Sequence, residues 1–214
     1  MVGLQLSEAE AQMDYVDKEN YVRFVGKATA RSRGALLRAI DSAVRDRVDR
    51  LHLMISSQGG SVTLAVSLYN YMRGAPVEIH TYNFGLVSTA GLVLYCAGSK
   101  RFCTAHARFV IGCADVSHQP NQRFDEAGLE DALRNLRLDQ DRMAEVLAEA
   151  TGMKVSKVMA DVKKEVVLDP TEALQYGLVH EVRPVLFPKY VVPYSVSEAD
   201  SGPSTGSGES SWGE

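Results

Sequence analysis

The sequence predicts an α/β fold, a mainly parallel sheet flanked by helices with one long helix beside it. Three observations predict this. Strand-like and helix-like runs alternate from about Asn20 to Val182. One segment, "STAGLVLYCAG", reads as a short helix apolar on every side, which only the middle of a domain can hold. The chain is 45% hydrophobic over 214 residues, enough for a single sizeable core.

The elements follow in order. "NYVRFVG" is a short strand. "SRGALLRAIDSAVRD" sets Leu36, Leu37, Ile40, Ala43 and Val44 on one helical stripe. "RLHLMIS" is a strand, and "SVTLAVSLYNYMRG" is a helix with Val62, Ala65, Leu68 and Met72 on one face and a stop at Gly74. "PVEIHTYN" is a strand, followed by the apolar helix. "KRFCTAHARFVIG" reads as a pair of strands. "AGLEDALRNLRLDQDRMAEVLAEATG" is the long helix, closed by Gly152. Leu129, Leu133, Leu136, Met143 and Leu147 lie largely on one side of it. "KVSKVMADVKK" is a helix, and "DPTEALQYGLVHEV" is helix then strand. Residues 1–18 are charged and poorly patterned, an N-terminal arm that reads either as mobile or as a short contact helix. Residues 19–195 form the domain, and the Ser-, Gly- and Glu-rich 196–214 are expected to be a disordered tail.

Bulk properties narrow the function. A net charge of −4 gives no footprint for nucleic acid. Cys96, Cys103 and Cys113 are an odd count without a C-x-x-C pair, which fits buried thiols in a reducing compartment rather than a metal site. The N-terminus lacks the basic start and apolar run of a signal peptide, and no apolar run approaches the ~18 residues of a membrane span. The expectation is a soluble cytoplasmic protein with no cofactor, no metal, no nucleic acid and no membrane partner.

Two strand-to-helix turns carry candidate chemistry. "SSQGGSV" places Gly59 and Gly60 after a buried strand, where backbone amides at a helix start can face a developing negative charge. A Gly-Gly pair there is also ordinary turn chemistry. "NFGLVSTAG" places Ser88 and Thr89 at a turn with the geometry of a nucleophile elbow. Ser and Thr are equally the preferred helix N-caps. The two turns lie 29 positions apart, Gly60 to Thr89, at the carboxyl ends of consecutive strands, the edge where open α/β sheets bind ligands. Together they make a shared pocket plausible, with amides from Gly60 and Ala90 around one oxyanion. His52, His80, His106 and His180 read as strand residues that pack or face solvent. Asp161 and Asp169 read as caps or solvated charges.

On these segments the chain resembles the Clp protease proteolytic subunit family, which has a crotonase-like fold. The resemblance runs from about Asn20 to Pro184 and is carried by "ISSQGGSVTLAVSLYNYMR", "GLVSTAG", "LYCAGSKRFCTAHARFVI", "EVLAEATG" and "DPTEALQYGLVHEV". The family has Asn-Ser-Pro-Gly-Gly where this chain has Ser56 to Gly60, and Gly-x-x-x-Ser-x-Gly over Gly85 to Gly91, with no gap between them. It implies a catalytic triad whose serine falls on Thr89, whose histidine falls on Gly112 and whose aspartate falls on Glu165. All three positions are substituted, and Gly112 offers nothing that accepts a proton. His118, six residues further on and followed by Gln119-Pro120, is the candidate base if "GCADVS" is an insertion. In a second register, with the histidine position at the strand end and "NQRF" aligned, His118 lies on the connecting segment instead.

The resemblance therefore implies two readings. One is a Clp-like serine-type peptidase subunit acting on unfolded polypeptide, with Ser88 or Thr89 as nucleophile, His118 as base and Glu165 orienting it. The other is a catalytically inactive ring or scaffold subunit. A crotonase-type acyl-CoA enzyme is a third. The family also implies a homo-oligomeric ring, heptameric or double heptameric, with the long helix as a handle between rings. An ATP-driven unfoldase or an active paralogue would be its partner.

Overall fold

The computed structural model describes residues 18–114, 124–184 and 186–197. In chain order the elements are β1 (Glu19–Val25), α1 (Ala30–Arg45), β2 (Arg50–Ser57), α2 (Val62–Gly74), β3 (Glu78–Ser88), α3 (Ala90–Cys96), β4 (Lys100–Cys103), β5 (Arg108–Ile111), α4 (Glu126–Thr151), α5 (Val155–Lys164), β6 (Val166–Leu168), α6 (Pro170–Gln175), β7 (Glu181–Val182) and β8 (Tyr194–Ser197). The sheet runs β6-β5-β3-β2-β1-β8, with β4 on β3 and β7 on β4. Every pairing is parallel except β5–β6. The α/β architecture with a mainly parallel sheet flanked by helices is as the sequence predicts.

Alternation along β2 divides the two faces. Leu51, Leu53 and Ile55 enter the main core with Leu36, Ile40, Leu68 and Leu92 from the helices. His52 and Met54 point the other way, and Met54 joins Tyr82 and Phe102 in a second, smaller cluster. All seven residues of α3 are buried, which accounts for its apolar sequence. Local signals fix the helix ends. Thr29 and Ser32 form a capping box on α1, Asp169 and Glu172 another on α6, and Asp125 caps α4.

Several expectations are corrected. β4 and β5 do not pair with each other; both pair in parallel with β3, at residues 80–83 and 86–88. β3 has eleven residues and so accommodates both short strands along one edge. His106 consequently sits in the exposed turn between them, and His180 lies in a bend just before β7, its Nδ1 accepting from the Arg101 amide at 3.1 Å. Val196 and Ser197, assigned from sequence to the tail, belong to β8, and Val196 is 1% exposed. Lys18, assigned to the arm, donates its amide to Asp49 Oδ2 at 2.9 Å. The stripe on α4 is only partly used. Met143 and Leu147 are fully buried, while Leu129 and Leu133 are 56% and 46% exposed, because the first part of α4 extends past the core formed by the described residues. Asp161 is neither a cap nor a solvated charge. It is buried, accepts from Tyr176 at 2.7 Å and pairs with Lys157 at 2.5 Å.

Candidate active site

The elbow is formed where β3 passes into α3. Thr89 stands at the junction with φ 45° and ψ −108°, and its side chain makes no cap hydrogen bond. A positive φ at a β-branched residue is strained and persists only where its surroundings impose it. Here they do. The Thr89 amide donates to Val110 O at 3.4 Å, and its carbonyl accepts from Leu92 at 3.1 Å and Val93 at 3.3 Å. Thr89 therefore occupies the N-cap position of α3 in an elbow conformation, with a hydroxyl that does not cap the helix. Ser88 ends β3, and its Oγ lies 3.2 Å from Thr89 Oγ1.

The glycine turn meets this elbow directly. A Cβ on Gly59 would lie 3.7 Å from Thr89 Cβ. Gly60, at φ 111°, runs beside Ala28 in a parallel bridge, and a Cβ there would fall 2.5 Å from the Ala28 nitrogen. Only glycine fits that approach. The bridge uses the Gly59 carbonyl (Ala28 N, 2.8 Å) and the Ser61 amide (to Ala28 O, 2.9 Å), leaving the Gly60 N–H to one side. Among the described residues no acceptor takes the N–H of Gly60 or of Ala90. Gly91 lets α3 start against β2, since a Cβ there would lie 2.8 Å from Ser57 Cβ. Ser57 as the seat of that helix is a role the sequence reading missed.

The sheet brings the other two positions to the same corner. A Cβ on Gly112 would lie 3.5 Å from Thr89 Oγ1, an ordinary contact. Ile111 pairs with Val166, the last pair of the β5–β6 ladder, and Gly112 and Glu165 are the residues that adjoin it in sequence. Glu165 is the left-handed C-cap of α5 (φ 50°), its amide donates to Val162 O at 3.1 Å, and its side chain is exposed. His118 lies outside the described residues. Cys113, next to Gly112, donates to Val162 O at 3.4 Å. Burial pushes the thiols of Cys96 and Cys103 up to about 12 and about 11, which makes them inert. Among the described residues no cluster of three or more His, Cys, Asp or Glu could hold a metal ion, and no helix is long and apolar enough to cross a membrane.

A strained hydroxyl elbow faces a glycine turn at the carboxyl ends of two adjacent parallel strands, the strand-turn-helix arrangement of an α/β protein with a nucleophile-elbow type of turn. The model of the Clp protease family matches residues 11–185, and the chain belongs to that family. It is 32% identical over 152 residues to the ATP-dependent Clp protease proteolytic subunit 1 of Leifsonia xyli subsp. xyli, covering 69% of this chain and 72% of the relative. It is 31% identical over 151 residues to proteolytic subunit 2 of Corynebacterium diphtheriae, covering 69% and 71%. A solved structure of a ClpP1 mutant from Listeria monocytogenes shares the fold, with a TM-score of 0.66 at 22% identity over 78% of this chain and 91% of that one.

Proposed function

We propose that the chain is a ring-forming proteolytic subunit that hydrolyses peptide bonds of unfolded polypeptides at Thr89, in the cytoplasm, fed by an ATP-driven unfoldase. The observation that carries this reading is the imposed strain at Thr89 beside two amides that no acceptor among the described residues takes. Oγ1 attacks the scissile carbonyl, and the resulting oxyanion sits between the N–H groups of Gly60 and Ala90. His118, oriented by Glu165, takes the Oγ1 proton and gives it to the leaving amine, and a water that gives its proton to the same base then cleaves the Thr89 ester, releasing the acid and restoring Oγ1–H. Ser88 holds Oγ1 through its own hydroxyl or attacks in its place. The exposed Leu129 and Leu133 on α4 support contact between rings, taken as heptameric.

A second reading rests on Gly112. The position that faces Thr89 Oγ1 carries no proton acceptor, as in an inactive subunit that assembles with an active paralogue or serves as a scaffold. The crotonase-type reading draws no support from relatives named as proteolytic subunits. Fluorophosphonate labelling read by intact mass separates the first two. Labelling lost in Thr89→Ala or Ser88→Ala and in His118→Ala supports the peptidase. An unlabelled protein that still forms rings by native mass spectrometry supports the inactive subunit.

A further inference from the structure

The sheet face opposite the main core carries three cross-strand rows set by the register of β1 to β4. Glu19–Arg50–Glu78 is the first, Tyr21–His52–His80–Lys100 the second, and Arg23–Met54–Tyr82–Phe102 the third. Tyr21 stacks on His52 with centroids 4.4 Å apart, and His52 meets His80 edge-on at 5.4 Å. His52 Nδ1 contacts Tyr82 Oη at 2.8 Å. Its Nε2 is buried and faces Glu19 at 3.5 Å without a hydrogen bond. His80 Nε2 lies 2.9 Å from Glu78. Arg50 holds both carboxylates, Glu19 at 2.6 Å and Glu78 at 3.1 Å.

The segment after β7 lies across this face. Leu186 and Phe187 pack on Met54, Tyr82 and Phe102, and Phe187 meets Tyr21 edge-on at 6.4 Å. They border a cavity of about 440 Å³ whose floor holds both histidines. Between this contact and β8 the chain holds little, with Tyr190 100% and Val192 91% exposed.

We propose that Leu186–Ser197 is a strap whose Leu186–Phe187 end is released from the sheet when the His52–His80 pair takes up protons. The groups facing the pair decide the direction. Glu19 and Tyr21 come from β1, Arg50 from β2, Glu78 and Tyr82 from β3, Lys100 from β4, and Arg183, paired with Glu181, follows β7. Arg50 bridges both carboxylates and offsets one of their two negative charges. The strap contains Lys189 and no carboxylate, so nothing on it compensates a new positive charge beneath it. Burial disfavours the charged form of both imidazoles and holds them below the usual histidine range. A state with the strap lifted hydrates them, binds protons more tightly and gains population as pH falls.

Methyl-labelled Leu186 in the full-length oligomer tests this by NMR. At pH 7.5 its methyls carry ring-current shifts from Tyr82 and Phe102, and Phe187→Ala supplies the released reference. Between pH 7.5 and 5.5 the released-to-bound ratio should rise at least tenfold while the buried Leu92 methyls stay in place. In His80→Gln the transition should vanish or move at least one pH unit lower. A Leu186 signal that does not move over this range overturns the strap. So does an unchanged transition in the His52→Gln/His80→Gln double variant, or movement of Leu186 only together with Leu92.

Discussion

At the scale of single residues, position decides whether a small change is harmless. Gly60 and Gly74 illustrate this. Gly60→Ala meets both a positive φ and the Ala28 backbone at 2.5 Å, and should cost about 2–3 kcal/mol by urea denaturation. Gly74 ends α2 with nothing within 4 Å of its would-be Cβ. Gly74→Ala should stabilise by about 0.4–1 kcal/mol in the same assay, mainly by restricting the unfolded chain. Gly112→His is the informative change at the site. A Cβ fits there at 3.5 Å from Thr89 Oγ1, and a positioned general base contributes about 10²–10⁴-fold. Fluorophosphonate labelling of Thr89 should accelerate about 10²-fold, and an unchanged rate would remove position 112 from the site. The hydroxyl at the elbow and its glycine turn were legible in the sequence, because both are local turns at matched spacing. The strain at Thr89 was not, since Ser-Thr before an apolar run spells an N-cap equally well. His118 lies outside the described residues, so the base at this corner stays with the sequence argument.

At the scale of elements, periodicity exposed strands and helices but not their partners. The alternation in β2 encodes which side Leu51 and His52 face, and nothing in "KRFCTAHARFVIG" encodes that both short strands lie along β3. β8 was hidden for a related reason. Its four residues border a Ser- and Gly-rich run, and their partner β1 is far away in sequence. The packing of elements depends strongly on Arg101 in β4. Its guanidinium is buried and donates to Leu178 O at 2.7 Å, Ala150 O at 2.8 Å, Gly177 O at 3.1 Å and Gly98 O at 3.4 Å. These carbonyls lie at the end of α4, after α3 and after α6, where helices leave acceptors unpaired. Arg101→Met should cost roughly 3 kcal/mol or more, because several buried carbonyls lose their donor together. Arg101→Lys should recover only part of it, since an ammonium cannot reach the same spread of acceptors as a planar fork. Thermal unfolding of the two variants gives the ranking, and equal melting points would contradict it.

At the scale of the whole molecule, stability should show two acid steps. His52 and His80 have folded-state values below the unfolded one, so the unfolded chain binds protons first. Stability present above about pH 6.5 is lost as pH falls below it. Glu78 is held at about 2, first by its hydrogen bond with His80 and then by Arg50, against the opposing effect of burial. Its contribution is present above the ordinary carboxylate range and declines as pH falls from about 4.5 toward 2. Urea midpoints between pH 8 and 3 should decline in both windows, and His80→Gln should flatten the upper one. A profile level from pH 8 to 5 would contradict the first step.

Arg101 also bears on the order in which the chain can mature. Its acceptors lie 49 to 77 residues downstream, at Ala150, Gly177 and Leu178. A nascent chain that has emerged only through the elbow and β4 holds a guanidinium with most of its final acceptors still unsynthesised. The seat of β4 against the ends of α4 and α6 is therefore completed only once α6 and the residues after it have left the ribosome.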